Sequence, residues 1–320
     1  MRSAREAVAG YYADHGAEVD PDAVVLTTST SEGYGYLFRL LCDAGDEVLV
    51  AQPSYPLFDF LADLEDVRLV GYPLFYDYGW WIDFGELERR IGSRTKAILV
   101  VHPNNPTGHA TRAAERERLE ELCERHGLAL IVDEVFLDYP VGEGESIQSF
   151  AVGPHPVLTF VLSGMSKVAG LPQMKVGWIA GFGPEPGRSA ALGRLEVIAD
   201  TFLSMNTPMQ MALPVWLAGR RGIQEQIRER VRGNLASIGP GWVEVLQVGA
   251  GWSAVLKVPM GGGGKIEEDL LREVGVVVQP GWFYGMTEAG RVVVSLIGQW
   301  TEFEMGIQKI SEWVRRNLKS

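Results

Sequence analysis

Up to about residue 206, short β-branched runs alternate with stretches whose apolar residues recur at helical spacing. The runs VVLT (24–27), EVLVA (47–51), VRLVGY (67–72), KAILVV (96–101), ALIVD (129–133), VLTFVL (157–162) and VGWIAG (176–181) predict strands. Several are apolar throughout, as strands covered on both faces are. TRAAERERLEELCERHG (111–127) predicts a helix closed by a left-handed Gly127. Asp83, with Glu86 three residues on, predicts another helix start. The opening MRSAREAVAGYYADHG reads as an amphipathic helix. Alternation of this kind predicts an α/β fold, a mainly parallel sheet wrapped by helices.

From about residue 207 the pattern changes. Two long polar helices over about 207–237 are predicted, then short strands, a GGGG loop (261–264), a helix, the strand RVVVSLI (291–297) and a terminal helix. The expectation is a large domain over 1–206 and a smaller α+β domain over 207–320. The four glycines read as a hairpin or loop. Phosphate binding there is the lesser alternative, because no helix-opening Ser or Thr follows.

Charge and composition narrow the function. A net charge of -12 speaks against a nucleic-acid surface, which needs a basic patch. No run approaches the roughly 20 apolar residues of a membrane span, and the first residues lack the layout of a signal peptide. Two cysteines, Cys42 and Cys123, and five histidines without ligand spacing predict neither a disulfide framework nor a metal site. A reducing cytoplasm fits this composition.

The candidate chemistry lies at predicted strand ends. TTSTSEG (27–33) leaves a strand and opens a helix, so Ser29, Thr30 and Ser31 form either an anion site or an ordinary helix cap. In PSYP (53–56), Tyr55 can stack on a flat ligand or pack in the core. HPNNPTG (102–108) fixes a turn that presents Asn105 as a positioned amide. IVDEV (131–135) ends an apolar strand in Asp133, a carboxylate whose burial calls for a cation. LSGMSKVAGLPQMKVGW (162–178) sets Lys167 among small residues, where an amine can form a Schiff base, with Lys175 nearby to pair a phosphate.

Asp133 follows Asn105 by 28 residues and Lys167 follows Asp133 by 34. In this order and spacing, the chain resembles the class I/II aminotransferases, pyridoxal-phosphate (PLP) enzymes of fold type I, from its first helix to its last. The resemblance implies that Lys167 carries PLP and shuttles the substrate proton. It implies that Asp133 pairs the pyridinium nitrogen, Asn105 bonds the phenolic oxygen and Tyr55 stacks on the ring. Ser29, Thr30, Ser31 and Lys175 would then bind the phosphate. It also implies an amino acid and a 2-oxo acid as substrates, and a homodimer with its sites at the interface.

Four departures qualify the resemblance. The chain starts where family members are already well advanced, without the segment that reaches the partner subunit. Phe136 stands where a tyrosine usually donates to the phenolic oxygen. Gly164 replaces a usual phosphate-binding hydroxyl, for which Ser163 is the candidate substitute, and Lys175 replaces an arginine. Finally, Val293 takes the place of the arginine that clamps the substrate carboxylate. Arg291, two residues earlier on the same strand face, is either a relocated clamp or an ordinary strand-start charge.

The expected function is therefore a PLP-dependent transaminase. The alternatives are another PLP reaction on this fold, such as a β-elimination, a cyclisation or a decarboxylation, and a PLP-binding protein of little activity.

Overall fold

The computed structural model describes residues 1–259 and 265–318, so the GGGG segment lies outside the described residues. Eight strands build the large sheet: β1 (Val24–Thr27), β2 (Glu47–Gln52), β3 (Arg68–Tyr76), β4 (Trp80–Ile82), β5 (Thr95–Val101), β6 (Ala129–Asp133), β7 (Thr159–Gly164) and β8 (Gly177–Phe182). Their order is β1-β8-β7-β6-β5-β2-β3-β4. Neighbours from β7 to β3 pair in parallel, whereas β8 is antiparallel to both neighbours and β4 to β3.

The apolar runs become central strands because both faces are covered. Leu130 and Val132 of β6 enter one core, and Ile131 between them enters the other. Asp133, the first polar position of that strand, comes at its carboxyl end. In open sheets of this kind, ligands bind in the crevice beyond those ends.

Seven helices wrap the sheet: α1 (Arg2–Ala13), α2 (Thr30–Leu41), α3 (Leu57–Asp63), α4 (Phe84–Arg89), α5 (Ala113–His126), the four-residue α6 (Met165–Val168) and α7 (Gly187–Thr201). Their ends follow the sequence signals. The Asp83 carboxylate accepts from the Glu86 N–H at 2.9 Å. Gly127 closes α5 at φ 66°, a conformation that excludes most side chains.

The two helices expected over 207–237 are a single one, α8 (Thr207–Ser237), which continues through Pro214. Pro214 removes one helical N–H, but contacts hold the helix on both sides of it. Leu213 and Leu217 share a core with Ala4 and Val8 of α1. Farther along, Val231 joins the core under the small sheet.

That sheet is antiparallel, in the order β11-β12-β10-β9, from β9 (Glu244–Val245), β10 (Ser253–Lys257), β11 (Gln279–Pro280) and β12 (Arg291–Ser295). The short α9 (Ile266–Asp269) and the terminal α10 (Trp300–Asn317) flank it. Val292 and Val294 of β12 pack with Ile307, Ile310 and Val314 of α10. Val293, on the opposite face, belongs to the core of the large sheet. That face of β12 is thereby turned toward the loops at the strand ends.

Candidate active site

Loops after β5, β6 and β7 meet the small sheet around a cavity of about 670 Å³. Asn105, Phe136 and Lys167 line it from one side, and Trp252, Tyr284 and Val293 from the other. Lys167 lies on α6, half-buried, with Nζ 5.5 Å from the Trp252 ring centre and 6.0 Å from that of Phe136. Burial lowers its pKa, and the Asp133 carboxylate works against that shift. This amine is therefore easier to deprotonate than a surface lysine.

Asp133 is its electrostatic counterpart. Its carboxylate accepts from the Tyr34 hydroxyl at 2.6 Å and from the Val135 N–H at 3.0 Å. Burial raises its pKa, while those two bonds and the Lys167 charge oppose the rise. No ion pair neutralises it among the described residues. Tyr55 stands close by at 38% exposure, edge-on to Phe58 at 5.6 Å. Burial, followed by the Asp133 charge, raises its phenol pKa.

The HPNNPTG turn divides its two amides between structure and chemistry. Asn104 is buried, donating to the Pro53 carbonyl at 3.3 Å and accepting from the Thr107 hydroxyl at 2.8 Å. Asn105, one residue on, faces the cavity. His102 anchors the turn from behind. Its Nδ1 accepts from the Thr111 N–H at 3.0 Å, so Nε2 carries the proton and donates to the Gln148 carbonyl at 3.1 Å. Burial drives its pKa down to about 4, which keeps it neutral.

Glu134 grips the same loop. It accepts from the Ser149 hydroxyl at 2.7 Å and from the Phe150 N–H at 2.5 Å. Burial raises its pKa to about 7 despite those bonds. The Gln148–Phe150 loop thus clamps the ends of β5 and β6, which present Asn105 and Asp133.

At the start of α2, Ser29 acts as the helix cap, its hydroxyl accepting from the Glu32 N–H at 3.2 Å. Gly177 pairs with Thr27 in register, and a Cβ there would come 3.1 Å from the Thr30 nitrogen. Only a residue without a side chain lets β8 lie this close to the helix start. Lys175, exposed and left-handed at φ 53°, precedes this contact by two residues and has no acidic partner among the described residues.

Two of the expected residues stand apart. Ser163 is fully buried, and its hydroxyl has no hydrogen-bond partner among the described residues. Arg291 lines a different cavity, with Glu267, Trp282 and Met286, while Val293 lines the one that holds Lys167.

Tyr34 and Trp252 are site residues that sequence reasoning missed. Tyr34 follows the Ser29 cap by five residues, and only folding reveals its bond to Asp133. Trp252 follows the GAG turn (249–251) and is brought in by the small sheet. Among the described residues, no helix is long and apolar enough to cross a membrane.

Sequence comparison assigns the family. The profile for aminotransferase class I and II matches residues 2–299. The chain belongs to that family. Alanine aminotransferase of Mycobacterium tuberculosis (strain ATCC 25618 / H37Rv) is 31% identical over 208 residues, 65% of this chain and 48% of that protein. Glutamate-pyruvate aminotransferase AlaA of Escherichia coli (strain K12) is 29% identical over 230 residues, 71% of this chain and 56% of its own. The chain spans about half the length of these relatives.

Among solved structures, alanine aminotransferase from Pyrococcus furiosus superposes with a TM-score of 0.90, over 99% of this chain and 82% of that one, at 24% identity. Tyrosine aminotransferase from Leishmania infantum gives 0.90 over the same shares at 21%. At such identities the likeness establishes the fold.

Proposed function

We propose that this chain is a pyridoxal-phosphate-dependent aminotransferase, moving an amino group between an amino acid and a 2-oxo acid through Lys167. The observation that carries the proposal is the pairing of a half-buried amine, Lys167, with a buried carboxylate, Asp133, that has no ion pair among the described residues. A protonated pyridine nitrogen is the cation that carboxylate lacks. The close approach of Gly177 to Thr30, with Lys175 two residues away, fits a phosphate at the start of α2.

Bound there, the cofactor supplies an electron sink for the substrate carbon that bears the amine. The protein's residues do the rest. Asp133 holds the proton on the ring nitrogen, and Tyr34 holds Asp133. Asn105 donates to the ring oxygen, and Tyr55 covers the ring. The Thr30 and Ser31 N–H groups and the Lys175 ammonium bind phosphate, while Ser29 keeps the helix start in place. Lys167 Nζ would hold the cofactor and move the proton at the substrate carbon that bears the amine.

The exposed Leu57, Phe60 and Leu64 beside Tyr55 support a homodimer with the site near the interface. Free Cys42 and Cys123 suit a reducing cytoplasm. The apolar wall at Val293 favours one second reading, a different PLP reaction such as β-elimination.

The test adds pyridoxal phosphate to the purified protein, reduces with borohydride and maps the labelled peptide. The pyridoxyl group is expected on Lys167, and finding it on another lysine overturns the proposal. Adding amino acids to the loaded protein then separates the two readings. Accumulation of pyridoxamine phosphate marks a transaminase, and release of pyruvate and ammonia marks a lyase.

A further inference from the structure

A helix of four residues cannot support itself, since nucleation is costly and the last carbonyls of any helix have no partner within it. Lys167 sits on such a helix, and its direction is set by whatever holds those carbonyls. The Met165 carbonyl accepts from the N–H groups of Ala169 and Leu171, at 3.2 and 3.0 Å. The Lys167 and Val168 carbonyls are met from elsewhere in the chain. The Tyr139 hydroxyl donates to the Lys167 carbonyl at 2.6 Å, and the Gln224 amide donates to the Val168 carbonyl at 2.9 Å. Both side chains are buried.

Their origins give these bonds meaning. Tyr139 lies on the segment that leaves β6 just after Asp133, and its ring packs edge-on against Trp252 at 5.1 Å. Its backbone is in turn fixed to the small domain, the Gly251 N–H donating to the Tyr139 carbonyl at 2.9 Å. One short stretch of chain therefore presents the carboxylate and also holds the backbone of the lysine.

Gln224 belongs to a row on α8 with Arg220, Arg228 and Arg232, spaced by four so that they share a face. Arg228 donates to the Asp138 carbonyl and Arg232 to the Val141 carbonyl, each at 3.1 Å. Two members of the row thus brace the Tyr139 segment, and Gln224 braces the Lys167 turn directly.

We infer that Tyr139 and Gln224 are positioning residues for Lys167, fixing its Nζ against the aromatic wall and toward Asp133 through the backbone of α6. This inference rests on the proposed role of Lys167, but its geometry can be tested without cofactor. The first measurement is trace acetylation of the full-length, cofactor-free protein across pH, read at Lys167 by mass spectrometry. The second is the concentration of pyridoxal phosphate that half-saturates borohydride trapping at Lys167. Thermal unfolding accompanies both.

Tyr139→Phe keeps the ring and removes only the donor. It is expected to move the acetylation midpoint of Lys167 up toward that of a surface lysine, as the freed turn exposes the amine. Half-saturation is expected to rise roughly tenfold, the scale of one lost hydrogen bond at a buried acceptor. Gln224→Met should act in the same direction. Arg230→Met, which removes an α8 donor to the Gly298 carbonyl off this row, should leave the Lys167 profile unchanged. If Gln224→Met does not fold, Tyr139→Phe decides alone.

The inference is overturned if Tyr139→Phe labels like wild type at every pH, or if Arg230→Met shifts the midpoint as far. Failure of wild-type Lys167 to trap the cofactor would instead sink the proposed function, and the acetylation profiles would still judge the positioning.

Discussion

The two walls of the Lys167 cavity differ in kind. The wall from the large sheet presents the polar Asn105 and Lys167 beside Phe136, and near Lys167 the Asp133 carboxylate is held by two hydrogen bonds. The wall from the small sheet is largely apolar, with Val293, Trp252 and Val278 among its residues. Under the proposed function the first wall carries the reaction chemistry and the second meets the substrate, so the contrast predicts that reaction and specificity are separable.

The sharpest way to break that contrast is on the polar wall. Lys167→Ala is expected to abolish turnover while still binding pyridoxal phosphate through the phosphate contacts, measured by equilibrium dialysis and steady-state assay. Asp133→Asn should fold and bind cofactor yet lose most activity with every amine donor, because a neutral amide does not hold the ring nitrogen protonated. Near-normal turnover in that variant would mean that another residue faces the ring.

On the apolar wall the expected effects are smaller and depend on the substrate. A buried ionic hydrogen bond contributes about 1.5–3 kcal/mol, so half-reaction rates with alanine, aspartate or glutamate should saturate only at high concentration. Val293→Arg should tighten that dependence roughly tenfold. Arg291→Ala should leave it unchanged, since Arg291 lines a separate cavity. Low-concentration saturation in the wild type, lost in Arg291→Ala, would make Arg291 the clamp after all.

The smallest effect tests where the two walls meet. Phe136→Tyr adds a donor beside the ring oxygen, and should lower the pH midpoint of the bound cofactor's visible spectrum. An unchanged midpoint would place residue 136 away from that oxygen.

Legibility followed the same division. Asp133 could be read because it ends an apolar strand, and Asn105 because it lies in a turn motif just beyond one, both places where a polar residue has few structural reasons to be. Tyr139 and Gln224 could not, because they act on backbone carbonyls 28 and 56 residues away and any buried donor could serve. Arg291 was ambiguous for a geometric reason. Face alternation puts it with Val293, but two residues of strand carry a side chain about 6.6 Å along the sheet, enough to leave the cavity. The single α8 was hidden by Pro214, whose local signal gives way to packing on both sides. The parallel sheet was plain in the sequence because strands covered on both faces carry unbroken apolar runs.

The clamp on the Gln148–Phe150 loop has a thermodynamic consequence. Glu134 has a pKa of about 7 in the folded protein against an ordinary 4.5. Between those values the native state holds a proton that the unfolded chain gives up, so unfolding releases it to solvent. The stability this proton contributes is whole below pH 4.5 and lost as pH rises through 7. Glu134→Gln should accordingly change, by the proton this carboxyl releases on unfolding, how calorimetric unfolding enthalpies near pH 6 depend on the ionisation heat of the buffer. The carboxyl group that braces the strand ends thus takes up a proton on folding at near-neutral pH, while the buried His102 beside the same loop gives one up.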